Sequence, residues 1–161
     1  MRSIQLGHGV IWKIAWHPRG HRLAVVAEEE GIVLCDMDGN PQSMIPRPDH
    51  NLGDVSFVAD GEYLACGARD GTVYLWRVSD GSLVQTQKKH TARIWSLSYD
   101  STTDSLATAS EDESIWIWRG KSLEPLRRIT IAKPYDGMKI GGAKGLTDAQ
   151  RDTLVALGAI G

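Results

Sequence analysis

The sequence predicts an all-β fold made of a repeated unit of four short antiparallel strands, on two observations. Three segments resemble one another at a period of about forty residues, the spacing of a small supersecondary unit. Within each, short runs rich in Val, Ile, Leu, Tyr and Trp alternate with turn chemistry, and no helix-period pattern intervenes.

The segments run from Val10 to Asp36, from Leu52 to Arg77 and from Arg93 to Arg119. Trp16, Phe57 and Tyr99 occupy one repeat position, and Leu23-Ala24, Leu64-Ala65 and Leu106-Ala107 another. Asp60-Gly61 and Asp70-Gly71 divide the apolar runs of the second segment. Such dipeptides suit tight hairpins because both residues tolerate positive φ. Asp38-Gly39 and Asp80-Gly81 lie between segments, each followed by one more apolar run. That run supplies the fourth strand, so each unit is the blade of a β-propeller.

RDGTVYLW, from Arg69 to Trp76, and EDESIWIW, from Glu111 to Trp118, closely resemble the end of a WD repeat. The resemblance implies a hydrogen-bonded set in each blade: a His before the first strand, a hydroxyl on the second, an Asp in the next turn, and the Trp. In the third blade these are His90, Thr108, Asp112 and Trp118. In the second they are His50, Asp70 and Trp76, with Cys66 where the hydroxyl belongs. The first keeps only His8; Val25 and Cys35 replace the hydroxyl and the Trp, and Glu29 or Glu30 stands near the Asp. Because a satisfied buried network fixes geometry, the first blade is expected to be the softest.

Three blades are fewer than the four to eight of a closed propeller. The outer strands read as Gln42 to Ile45, Leu83 to Gln87 and Pro125 to Ile129, which leaves Arg2 to Leu6 as the outer strand of a further blade. The blades thus span about 10–46, 52–87 and 93–130, within a propeller segment of 1–131. The expectation is the C-terminal end of a longer propeller, with self-association to complete a ring as the competing one.

From 132 to 161 the chain is glycine-rich and then helical. Thr147 is an N-cap, Gln150 sits at the capping-box position, and Gly158 ends the helix. Leu154, Val155 and Leu157 form an apolar stripe, read as packed on the propeller rather than offered to a partner. Pro134-Tyr135, Gly137-Met138, Gly145-Leu146-Thr147 and Leu157-Gly158-Ala159 resemble the C-termini of cyanobacterial-type WD-repeat signalling NTPases. That resemblance implies a sensor end in bacterial signalling. The phosphate-binding chemistry itself is missing from Gly137 to Gly145, since Ala143 separates the glycines from Lys144 and Gly145 stands where a hydroxyl is needed.

The rest of the composition narrows the function. A net charge of −2 gives no field drawing the chain to nucleic acid or to an anionic membrane. No apolar run approaches membrane-spanning length. Cys35 and Cys66 sit in apolar runs, as buried small hydrophobes in a reducing, cytoplasmic setting. His17 and His21 are four apart across Pro18 and Gly20, a turn rather than a metal-binding helix. No cofactor is expected. Trp12 and Trp95 share a repeat position near the start of the innermost strand, beside Lys13 and Arg93. They are either anchors for a protein or peptide partner or cover for the gap between blades. An enzyme with a central-channel site would want acidic or His side chains at strand starts, where Ile14, Val55 and Leu97 stand instead. The expectation is therefore a non-enzymatic interaction module, with a channel enzyme or a non-functional remnant as alternatives.

Overall fold

A computed structural model describes residues 10–28, 31–46 and 52–161. Among these described residues, twelve strands form three four-stranded antiparallel sheets, a partial three-bladed WD-type propeller, and one short helix follows. Blade 1 is β1 (Ile11–Trp16), β2 (Arg22–Ala27), β3 (Gly31–Asp36) and β4 (Pro41–Ile45). Blade 2 is β5 (Leu52–Val58), β6 (Tyr63–Ala68), β7 (Thr72–Arg77) and β8 (Leu83–Lys88). Blade 3 is β9 (Ile94–Asp100), β10 (Ser105–Ser110), β11 (Ser114–Arg119) and β12 (Pro125–Thr130). The segment Arg2 to Leu6 lies outside the described residues.

Side chains alternate across each strand, so every blade has a face for each neighbour. Leu64 and Cys66 of β6 join Ala24, Val26, Ile32 and Leu34 in one buried cluster between blades 1 and 2. Ala65 of the same strand, with Val73 and Leu75, joins Ile94, Leu97, Leu106 and Trp118 between blades 2 and 3. On blade 3 the same repeat positions are Ala107, Ala109, Ile115 and Ile117. They are only half-buried, where Ala65, Val73 and Leu75 are fully buried.

Gly71 shows why the Asp-Gly turns are needed. Its φ is +87°, and a Cβ there would stand 2.4 Å from the backbone oxygen of His90. The turn is therefore set both by its own conformation and by the next blade pressed against it.

The chain divides into two compact units at Ile129/Thr130. In the second, α1 (Asp148–Ala156) begins with a reciprocal capping box between Thr147 and Gln150. Arg151 donates to the carbonyls of Ile140 and Ala143 at 3.0 and 3.3 Å, tying the glycine-rich segment to the helix. No residue of α1 is fully buried; Leu154 is half-buried, and Val155 and Leu157 are exposed. Among the described residues no helix is long and apolar enough to cross a membrane.

Candidate partner-binding face

The innermost strands β1, β5 and β9 lie side by side, with β5 in the middle. Each carries a register shift at the same place. Ile11 pairs with Ala27 and Lys13 with Val26, which leaves Trp12 as an extra residue in β1. Ile94 pairs with Ser110 and Ser96 with Ala109, which leaves Trp95 extra in β9. In β5 the shift falls between Leu52 and Val55, so Gly53 and Asp54 oppose Gly67 alone. A β-bulge re-aims the residue it inserts, and both indoles are about half exposed, 53% for Trp12 and 55% for Trp95.

Arg93 lies just before the third bulge and sets its guanidinium 4.0 Å over the Trp95 ring. Trp12 and Arg93 line one small cleft with Leu52, Glu28 and Arg69. Three blades thus contribute to a single depression. Lys13 is engaged differently: its ammonium lies 3.3 Å from the carboxylate of Asp54.

Asp54 is the residue that sequence reasoning missed. Its side chain is almost wholly buried. It accepts the backbone N–H of Val55 at 2.8 Å and of Leu97 at 2.7 Å. Its own carbonyl accepts from the Cys66 thiol at 2.8 Å. One acidic side chain therefore links the innermost strands of all three blades. Burial, and then the charge of Asp54, push the Cys66 thiol well above its ordinary pKa, so it packs as a small hydrophobe and not as a nucleophile.

Below this face, blade 3 holds a closed polar network. The Trp118 indole N–H donates to Thr108 Oγ1 at 2.9 Å. His90 Nε2 lies 2.8 Å from the same hydroxyl, and His90 Nδ1 lies 3.0 Å from Asp112 Oδ2. Thr91 N–H and Ser114 Oγ complete the shell of Asp112 at 2.9 and 2.6 Å. Burial alone would raise the Asp112 carboxyl. The hydrogen bonds from Ser114, Thr91 and His90 outweigh it and hold the pKa at about 2.

In blade 2, Asp70 accepts from Thr72 N–H and Oγ1 at 3.0 and 2.8 Å and pairs with Lys88 at 3.0 Å. Trp76 is buried and stacks on Tyr74 at 5.3 Å between centroids. His50, His8, Glu29 and Glu30 lie outside the described residues. In blade 1, Val25 and Cys35 are buried with Val33 in a small apolar cluster.

The family model "WD domain, G-beta repeat" matches residues 39–77 and again 81–119. These two stretches of the chain match WD repeats. Each matched window opens on the outer strand of one blade and closes on the third strand of the next, so WD repeat and blade are offset by one strand. An uncharacterized WD repeat-containing protein of Synechocystis is 31% identical over 71% of this chain and 33% of its own length. A probable cytosolic iron-sulfur protein assembly protein of Caenorhabditis elegans, a CIAO1 homolog, is 24% identical over 68% of the chain and 36% of its length. The WD repeat and HMG-box DNA-binding protein 1 of Xenopus laevis is 35% identical over 51% of the chain and 7% of its length. The chain spans about a third or less of these curated relatives. The bulged tryptophans and Asp54 mark the strand ends where three blades meet.

Proposed function

We propose that the chain is a non-enzymatic protein-interaction module of the cytoplasm. A protein or peptide partner would bind where the three innermost strands begin, with Trp12, Arg93 and Trp95 as its anchors. The observation that carries this reading is the pair of half-exposed tryptophans, each on a bulge at the same repeat position and beside one cleft. Aromatic and Arg side chains dominate interface energetics because they combine large area with few internal rotations. Lys13 serves the site indirectly, by balancing the buried Asp54 charge.

The relatives' names span iron-sulfur protein assembly and DNA binding, so the repeat alone selects no partner and specificity belongs to the site. A channel enzyme is the weaker reading. The one buried carboxylate on the innermost strands, Asp54, is already occupied by two N–H groups and an ammonium, an arrangement that suits structure better than proton transfer.

The test compares immobilised wild-type chain with Trp12→Ala, Trp95→Ala and, as a control on the outer strand, Leu126→Ala. Captured proteins are identified by mass spectrometry, and melts are run in parallel. Trp95→Ala should weaken capture by roughly tenfold or more with little change in Tm. A collapse in Tm instead would make Trp95 part of the core and defeat the reading.

A further inference from the structure

One charged side chain on this face is unexplained by its surroundings. Arg93 sets its guanidinium carbon 4.0 Å from the centre of the Trp95 ring, yet its Nε is buried with no hydrogen-bond partner. Among the described residues, neither Arg93 nor Arg69 makes a side-chain hydrogen bond or ion pair. A guanidinium offers five donors in a planar fork, and a fork fixed by an aromatic ring with donors unused is preorganised for an acceptor that arrives from outside.

The cleft selects that acceptor by charge and size. Arg69 and Arg93 line it against one carboxylate, Glu28, which accepts the Val10 N–H at 3.3 Å. Among the described residues, Asp54 is engaged by Val55, Leu97 and Lys13, Asp70 by Thr72 and Lys88, and Asp112 by His90, Thr91 and Ser114. Glu111 is exposed beside Arg93. The cleft is small, about 60 Å³, so it suits the tip of a side chain rather than a folded element.

The geometry points to this cleft as the receptor for a single Asp or Glu side chain on a peptide partner, with Arg93 the main donor and Arg69 the second. Trp95 holds the guanidinium plane, and Trp12 packs the peptide backbone beside it. The assignment rests on the interaction face argued above and specifies its ligand. A peptide suits the site better than nucleic acid, because the chain carries a net charge of −2 and Glu28 would repel a run of phosphates.

The experiment uses the full chain and two fluorescein-labelled, Gly/Ser-flanked peptides that differ only in a central Glu-Glu or Gln-Gln. Binding is followed by anisotropy up to roughly millimolar concentration, at low and moderate salt. The Glu peptide should bind about tenfold or more tightly than the Gln peptide, and the preference should shrink with salt. Arg93→Ala should abolish the preference, and Arg93→Lys should lose most of it because an ammonium has no fork. Arg69→Ala, at an exposed position, should reduce it severalfold without altering the melt.

Equal binding of the two peptides, or binding of neither, would overturn the assignment. So would a preference that survives both Arg93→Ala and Arg69→Ala, or tight binding of a single-stranded oligonucleotide with the same Arg93 dependence. If Trp95→Ala still abolishes partner capture while the Glu peptide is ignored, the face stands and the carboxylate assignment falls. If neither tryptophan affects capture, the face itself falls.

Discussion

Asp54 of blade 2 accepts the backbone N–H of Leu97 in blade 3 through a 2.7 Å hydrogen bond, and its other oxygen meets Lys13 of blade 1. The blades are thus joined by polar contacts as well as by apolar packing. Asp54→Ala should cost about 2–4 kcal/mol, because it leaves two buried N–H donors without an acceptor. Lys13→Ala should cost about 1 kcal/mol or less, since the ammonium is half exposed and Asp54 keeps both N–H bonds. Urea midpoints of the two variants measure the contrast; equal losses would mean that the ion pair, not the backbone capping, carries the stabilisation.

Thr108 Oγ1 serves two partners at once: it accepts from Trp118 Nε1–H and lies 2.8 Å from His90 Nε2. Thr108→Val keeps the shape and removes the hydroxyl, so both groups are stranded in a buried site. The expected loss is about 1–3 kcal/mol. Thr108→Ser should retain most of the stability, and the two variants separate hydrogen bonding from packing. The Trp118 indole proton provides a local probe: its exchange with solvent should accelerate in Thr108→Val and stay slow in Thr108→Ser.

Gly67 lies on the seam between blades 2 and 3. A Cβ there would come within 2.4 Å of Ile94 Cγ2 and 2.9 Å of Leu97 Cδ1. Gly67→Ala should therefore destabilise by about 1–3 kcal/mol through overpacking. Blade 3 has Ala109 at the same repeat position, half-buried on its uncrowded face. Adding two methyl groups there, as Ala109→Val, should be close to neutral, and thermal melts of the pair would show whether the seam is as tight as the distances require.

The repeats and their turns were legible because period-two apolar runs and Asp-Gly pairs are local signals, and local signals recur unchanged from blade to blade. His90, Thr108, Asp112 and Trp118 could be named together because a repeat motif sets their spacing, and they lie at hydrogen-bonding distances. Asp54 was not legible. Its counterparts are Lys13 and Ser96, so no residue type repeats there, and its role exists only across blades. The bulges escaped for a related reason: one extra residue in a strand leaves the hydrophobic pattern almost intact, and only the register against β2, β6 and β10 reveals it. The stacking of Arg93 on Trp95 likewise depends on the direction a bulge imposes on its neighbour.

Two acid-sensitive sites should divide the pH profile of stability into separate windows. His17 is buried, its ring packed edge-on to Phe57 and tightly against Gly61. Burial first, and then the neighbouring charges of His21 and Arg22, lower its pKa below the ordinary 6.5. The unfolded chain therefore binds this proton more readily than the folded one. The His17 contribution is intact above about pH 6.5 and is lost as the pH falls through the lower folded value. Asp112 follows the same sign at lower pH. Its folded pKa is about 2 against an ordinary 3.8, so its ~2 kcal/mol is present above pH 4 and disappears between those two values. Asp100, which caps Thr102 and Thr103, titrates in the same direction and adds to the acid limb. Melting temperatures from pH 8 to 2.5 should be flat at first, decline from about pH 6.5, and fall again below pH 4. His17→Gln should remove the first decline and leave the second, while Asp112→Asn should flatten part of the second and leave the first. A first decline unchanged in His17→Gln would assign it to another group and show that the ring beside Gly61 accepts a proton without strain on the fold.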